Sequence, residues 1–188
     1  TGTPTPLVVL DEIAAALMNV NGVLVVDEAY AEFRDPGEAS ALALLRENPN
    51  VIVTRTMSKA FGVAGLRLGY CAAHPRVIEA LRVISLPYHL SSVTQVIAEA
   101  VLEHSQSLAM RWNDIRTERQ RVSQGLQGFG LVVPPSAANF LLVGRFADSE
   151  GVWKDLRAAG VLTRLTGLGE WLRVSIGTPE ENDTFLQA

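Results

Sequence analysis

Gly22-Val23-Leu24-Val25-Val26-Asp27-Glu28-Ala29-Tyr30 reads as a short apolar run that delivers an acid, Asp27, at its carboxyl end. Such a run, bounded by turn-forming residues, predicts a strand inside a sheet. Downstream, Val51-Ile52-Val53-Thr54-Arg55 repeats the pattern and leads into Thr56-Met57-Ser58-Lys59-Ala60-Phe61-Gly62-Val63-Ala64-Gly65-Leu66-Arg67. Lys59 therefore stands just past a second strand, among hydroxyls and glycines, with Arg67 eight residues on. In open α/β sheets ligands bind outside the carboxyl ends of the strands. Two parallel strands of this kind would project Asp27 and Lys59 into one crevice.

Outward from these two runs, apolar periodicity predicts helices over about 6–18 and 38–46, strands over about 23–26, 51–55 and 68–72, and a helix begun by Pro75. Helices alternating with short Val-rich strands predict an α/β fold with a parallel or mixed sheet covered on both faces. After Leu86-Pro87-Tyr88 the texture changes. A helix near 91–104 and a long charged helix near 107–126 lead to strands near 131–133 and 140–143. A helix near 150–159 and strands near 161–164 and 171–176 follow. The expected division is residues 1–90 as part of a large domain, and residues 91–188 as connecting helices with a small α+β domain. The charged run Arg116-Thr117-Glu118-Arg119-Gln120-Arg121 reads as the solvated face of a connector.

Composition narrows the classes. The 188 residues suffice for a sizeable core, and the 48% hydrophobic content falls in runs well short of the roughly 20 apolar residues that span a bilayer. No charged start with an apolar core marks a signal peptide. One cysteine, Cys71, cannot form an internal disulfide, so a reducing cytoplasm is the expected setting. A net charge of −4 with scattered arginines argues against nucleic acid. His74, His89 and His104 have neither metal-ligand spacing nor a paired nucleophile. Gly62, Gly65 and Gly69 do not follow the G-x-G-x-x-G dinucleotide spacing. Thr1-Gly2-Thr3-Pro4 reads as the tail of a loop begun earlier, so a longer parent is expected.

Chemistry follows from the residue types. An amine catalyses covalently when its site lets it lose its proton near neutral pH, through desolvation or neighbouring cations. A pyridine cofactor acting as an electron sink needs a lysine for a Schiff base and an acid to keep its ring nitrogen protonated. Lys59 and Asp27 fit those roles, Tyr30 suits the phenolic oxygen, and Thr56, Ser58 and Arg67 supply two hydroxyls and a forked cation for a phosphate. Each has a plainer reading: a solvated lysine, an acid capping a turn, a packed tyrosine.

At this point the chain resembles the C-terminal half of a fold-type-I, class II pyridoxal-phosphate aminotransferase, in the histidinol-phosphate branch. The resemblance is carried by Val25-Val26-Asp27-Glu28-Ala29-Tyr30-Ala31-Glu32-Phe33, Arg55-Thr56-Met57-Ser58-Lys59-Ala60-Phe61-Gly62, Ala64-Gly65-Leu66-Arg67-Leu68-Gly69-Tyr70, Pro87-Tyr88-His89-Leu90-Ser91, Ala138-Asn139-Phe140 and Leu172-Arg173-Val174-Ser175-Ile176-Gly177-Thr178. It implies pyridoxal 5'-phosphate as cofactor, with Lys59 attaching it and moving the substrate's proton. It further assigns Asp27 to the pyridinium, Tyr30 to O3′, and Thr56, Ser58 and Arg67 to the phosphate. Arg173 would hold the donor's α-carboxylate, and Arg164 a phosphate or distal carboxylate. The implied reaction passes an amino group from histidinol phosphate to 2-oxoglutarate in a cytoplasmic homodimer. The alternatives are an aromatic amino-acid aminotransferase, a related decarboxylase, or an incomplete fragment serving only as a folded or dimerising half. Thr1-Gly2 match the end of the family's Asn-Pro-Thr-Gly loop. The glycine-rich phosphate turn, the ring-stacking aromatic and a tyrosine from the partner subunit would therefore precede this chain.

Overall fold

Leu7, Leu10 and Ala14 recur at helical spacing, and the helix they predict forms as α1 (Leu7–Met18), with Ala14 fully buried. The computed structural model describes residues 1–188. The chain divides into an N-terminal unit, Thr5–Glu32 with Pro36–Ala109, and a C-terminal unit, Thr1–Pro4 with Phe33–Asp35 and Met110–Ala188. The last crossing between the units falls between Ala109 and Met110.

In the N-terminal unit, β1 (Leu24–Asp27) and β2 (Val51–Thr56) pair in parallel, and β3 (Gly69–Ala73) completes the order β1-β2-β3. β3 runs antiparallel to β2, so the sheet is mixed, one of the two forms expected. Parallel strands need a long crossover, usually a helix, whereas residues 57–68 carry only a single short 3-10 turn at Ala64–Leu66, so the chain reverses beside itself. Val51 and Val53 pack with Ala14, Ala41, Leu24 and Val26, which places α1 and the 41–44 segment over one face of the sheet. On the other face Val23 and Val25 remain more than half exposed, at 52% and 57%. Coverage of both faces, expected from the sequence, is therefore not reached within this chain at β1.

The helix expected near 38–46 shrinks to a 3-10 segment, Ala41–Leu44. Glu28 captures the Ala41 amide at 2.7 Å and the Ser40 hydroxyl at 2.8 Å, so a side chain takes over the groups that would have begun a longer helix. The helices α2 (Pro75–Ile84) and α3 (Ser92–Glu103) start where their caps predict, at His74-Pro75 and at Ser91, whose hydroxyl accepts from the Thr94 amide.

The long α4 (Ser105–Gly128) begins in the N-terminal unit and passes at Met110 into the C-terminal one, which continues through β4 (Phe140–Val143), α5 (Ser149–Ala158), β5 (Arg164–Leu165), β6 (Leu172–Ser175) and α6 (Pro179–Gln187). The antiparallel sheet of the C-terminal unit has the order β4-β6-β5. Leu141, Val143 and Val174 pack on Val122 and Leu126 of α4, with Phe185 and Leu186 of α6 against them. Full burial of side chains of this size stabilises a fold by roughly 1.5–3 kcal/mol each.

The strands expected near 131–133 and 161–164 shrink to a single bridge, Val132 with Gly144, and to Arg164–Leu165. Both segments instead close the preceding helix: Leu131 donates to Leu126 O at 3.2 Å and Val161 to Leu156 O at 2.8 Å, across Gly130 and Gly160 in left-handed conformations (φ 80° and 85°). The charged run of α4 is not a solvated face, since Glu118 and Arg119 are buried. Finally, α6 was not anticipated, although Thr178 and Glu181 form a capping box with Pro179 at the first helical position, a start signal legible in the sequence.

Candidate cofactor and substrate sites

Parallel pairing of β1 with β2 sets Asp27 opposite Thr54, and the Glu28 amide donates to Thr54 O at 2.9 Å. The carboxyl ends of the two strands therefore lie side by side. Asp27 is exposed, and its Oδ1 accepts the Ala29 amide at 3.0 Å, which turns the chain sharply toward Tyr30. Lys59, three residues past the end of β2, places its Nζ 5.9 Å from the centre of the Tyr30 ring. An ammonium at that distance from an aromatic face is attracted by the ring quadrupole. The structure thus brings together Asp27, Tyr30 and Lys59 at one end of the sheet.

Lys59 is exposed, so this chain's own residues do not supply the desolvation expected for its amine. The turn that carries it is ordered from within. Thr56 Oγ1 accepts the Ser58 amide at 3.1 Å and donates to Leu68 O at 3.4 Å, and Gly62 donates to Lys59 O at 3.1 Å. Thr56 therefore has a structural task besides any ligand contact. Ser58 is half-buried beside it. Arg67 is exposed, lies in the left-handed region at φ 51°, and donates from Nη1 to Ala64 O at 3.2 Å. A non-glycine residue held there carries strain, a feature that clusters at ligand sites.

Arg164 and Arg173 belong to the C-terminal unit, where β5 and β6 set them directly opposite each other. Directly paired residues project from the same face of a sheet. Arg173 is half-buried with its guanidinium 4.9 Å from the centre of the Phe140 ring, and Arg164 is exposed. Like charges in direct opposition repel, so two guanidiniums on one face favour an anion between or over them. Nothing in the separation of the two arginines along the chain gives this pairing.

Sequence reasoning missed Glu28 and Arg55. Glu28 is buried, at 2% exposure, and receives Arg55 Nη2 at 2.8 Å and Nε at 3.2 Å. The available signal was two opposite charges inside otherwise apolar strand ends. No group of three or more His, Cys, Asp or Glu side chains is placed to hold a metal ion.

A parallel pair ending in an acid and a lysine, with an arginine pair on a separate antiparallel sheet, is the arrangement against which known proteins can be compared. The pattern of the family "Aminotransferase class I and II" matches residues 1–188, and the chain belongs to that family. Among its relatives, the histidinol-phosphate aminotransferase of Thermobifida fusca is 53% identical over 188 residues, all of this chain and 50% of that protein. That of Frankia casuarinae is 49% identical over 189 aligned residues, covering 100% of this chain and 48% of the relative. Among solved structures, histidinol-phosphate aminotransferase from Sinorhizobium meliloti in complex with pyridoxal-5'-phosphate superposes with a TM-score of 0.87 at 30% identity, covering 100% of this chain and 53% of that one. The fold is therefore that of fold-type-I pyridoxal-phosphate enzymes, and the chain spans about half the length of the curated relatives it matches.

Proposed function

We propose that this chain is the C-terminal half of an enzyme that uses pyridoxal 5'-phosphate to move an amino group from histidinol phosphate to 2-oxoglutarate, giving imidazole acetol phosphate and glutamate in histidine biosynthesis. The observation that carries it is the Lys59 amine beside the Tyr30 ring, at the carboxyl ends of the parallel strands that also present Asp27. The identity of about half the residues to histidinol-phosphate aminotransferases supports the substrate.

The residues present fit the cofactor: an amine for its aldehyde, a carboxylate for its ring nitrogen, a phenol for its phenolic oxygen, and hydroxyls with a guanidinium for its phosphate. When bound, pyridoxal phosphate supplies a carbonyl for the amino group and a ring that withdraws electrons from the substrate's α-carbon. Lys59 would hold the cofactor through its amine and would move the proton at the substrate's α-carbon. Asp27 would pair with the cofactor's ring nitrogen and favour its protonated form. Tyr30 orients the Lys59 amine and donates to the phenolic oxygen. Thr56, Ser58 and Arg67 would anchor the cofactor's phosphate; Arg173 would hold the α-carboxylate of glutamate or 2-oxoglutarate, and Arg164 the phosphate of histidinol phosphate or the distal carboxylate of the acid.

Exposure of Lys59 in this chain supports a site completed by further protein, and we propose a homodimer of a longer chain, with residues 1–90 in its large domain and 91–188 forming the connecting helices and small domain. A cytoplasmic location is supported by the unpaired Cys71; no helix is long and apolar enough to cross a membrane.

The test follows the visible absorbance of the full-length protein loaded with pyridoxal phosphate during a single turnover. Histidinol phosphate alone is expected to bleach the band, and Lys59→Ala to lack it. Bleaching by phenylalanine alone would make the enzyme an aromatic aminotransferase, and an unchanged band in Lys59→Ala would remove the role given to that lysine.

A further inference from the structure

Along β1 and its extension the side chains alternate. Leu24 and Val26 join the packed face with Val51 and Val53, while Val25 is exposed on the other. Asp27 continues the open side, and Glu28 the packed one, where it meets Arg55. Neighbouring carboxylates thus face opposite ways: one toward the candidate cofactor site, the other into the scaffold.

The scaffold side is a closed network. Glu28 has both oxygens engaged: Oε1 by the Ala41 amide at 2.7 Å, and Oε2 by Ser40 Oγ at 2.8 Å, Arg55 Nη2 at 2.8 Å and Arg55 Nε at 3.2 Å. Arg55 Nη2 also donates to Ser40 Oγ at 3.0 Å, and Arg55 Nη1 lies 3.6 Å from Glu32 Oε1. The side chains of Glu28, Glu32 and Arg55 are 0%, 9% and 18% exposed. Glu28 stands two residues before Tyr30 and Glu32 two after it, while Arg55 lies four before Lys59. One guanidinium therefore hydrogen-bonds the carboxylate before Tyr30, pairs electrostatically with the one after it, and belongs to the strand that leads to Lys59.

Buried ion pairs are weak evidence for stability, because desolvation offsets most of their attraction; their best use is to fix one geometry. A planar fork that meets two carboxylates at once does this, and a lysine's single ammonium does not. We propose that Arg55, held between Glu28 and Glu32, is a positioning residue that fixes the Asp27–Tyr30 turn against Lys59, an inference that rests on the aminotransferase reading above. The charged and titratable groups around Tyr30 are Asp27, Glu28, Glu32, Arg55 and Lys59, with Tyr70 on β3 opposite Arg55. Burial works to lower the pKa of Arg55, but its bonds to Glu28 and Tyr70 and the charges of Glu28 and Glu32 outweigh it and raise it above the ordinary guanidinium value. Arg55 thus stays charged at any working pH, and any titration near the site belongs to other groups.

A positioning role makes loss of Arg55 resemble loss of the residue it positions. A phenol donating to the cofactor's phenolic oxygen stabilises that oxygen's ionised form, so a displaced Tyr30 raises the pH at which the bound cofactor's visible band titrates. In the full-length protein loaded with pyridoxal phosphate, Arg55→Lys is expected to move this midpoint upward by about one unit, in the direction of Tyr30→Phe. The double variant is expected to titrate like Tyr30→Phe alone, because interacting residues are not additive. Glu32→Gln, which leaves the Glu28–Arg55 bond intact, is expected to give a smaller shift of the same sign and serves if Arg55→Lys does not fold. A loaded Arg55→Lys or Glu32→Gln protein with the wild-type midpoint, or a double variant whose shifts add in full, overturns the positioning role while leaving the aminotransferase reading untouched. A wild-type protein that gains no visible band removes that reading and the proposal with it.

Discussion

At Arg67 the backbone lies in the left-handed region, φ 51°, where an L side chain costs roughly 1–2 kcal/mol. Its guanidinium makes one hydrogen bond to the neighbouring Ala64 carbonyl, too little to account for the conformation by local stability alone. Replacement by glycine separates backbone from side chain. Arg67→Gly is expected to keep the melting temperature of the cofactor-free protein within about 2 °C of wild type, and to weaken pyridoxal phosphate binding at least about tenfold, as loss of a charge-assisted bond to phosphate does. Equilibrium titration of the visible band checks this, and an unchanged affinity would take Arg67 out of the phosphate site. Asp27 and Lys59 were legible in the sequence because each follows a strand-like apolar run. Glu28 and Arg55 sit within the same runs and were passed over, since partnership between residues 27 positions apart depends on strand register.

Among the elements, the clearest departures from periodicity share one cause. Residues 131–133 and 161–164 are β-branched and apolar enough to suggest strands, yet their first amides turn back to close α4 and α5. Gly160 makes the closure after α5 possible, and no atom lies within 4 Å of where its Cβ would be. Gly160→Ala is therefore expected to cost about 1 kcal/mol through backbone strain alone, with Gly160→Asn costing less because asparagine tolerates the left-handed region. Urea unfolding of the three proteins checks the order. Equal losses for the two variants would mean that contact, not conformation, is what the site demands. The antiparallel turn of β3 has the same lesson: direction was set by the shortness of the 57–68 connection, a property of length rather than of hydrophobic pattern.

For the molecule as a whole, the C-terminal unit carries a pH sensitivity of its own. Glu118 accepts from Arg121 Nη2 at 2.7 Å, Arg121 Nε at 2.9 Å and Asn182 Nδ2 at 2.7 Å, which joins α4 to α6. Arg121's hydrogen bonds hold the Glu118 carboxyl below its ordinary 4.5, against the opposing effect of burial, with Asn182 assisting. A carboxyl lowered on folding contributes stability that is complete above its unfolded value, and loses it as pH falls through the folded value. Glu118→Gln is accordingly expected to destabilise by about 1–3 kcal/mol at pH 7, with the difference from wild type closing as the pH falls below about 4.5. Denaturant unfolding across that range measures it; a difference independent of pH would show that packing, not charge, accounts for the loss.

By itself the sequence determined the family, the α/β alternation, the acid and lysine at two strand ends, and the helix starts marked by proline and hydroxyl caps, because these depend on local chemistry and short-range period. Tertiary structure alone decided the antiparallel β3, the direct opposition of Arg164 and Arg173, the burial of Glu118 and Arg119, and the Glu28–Arg55–Glu32 network behind Tyr30. Each of these depends on which distant residues share a face or a register. That information arises only when strands pair and helices pack.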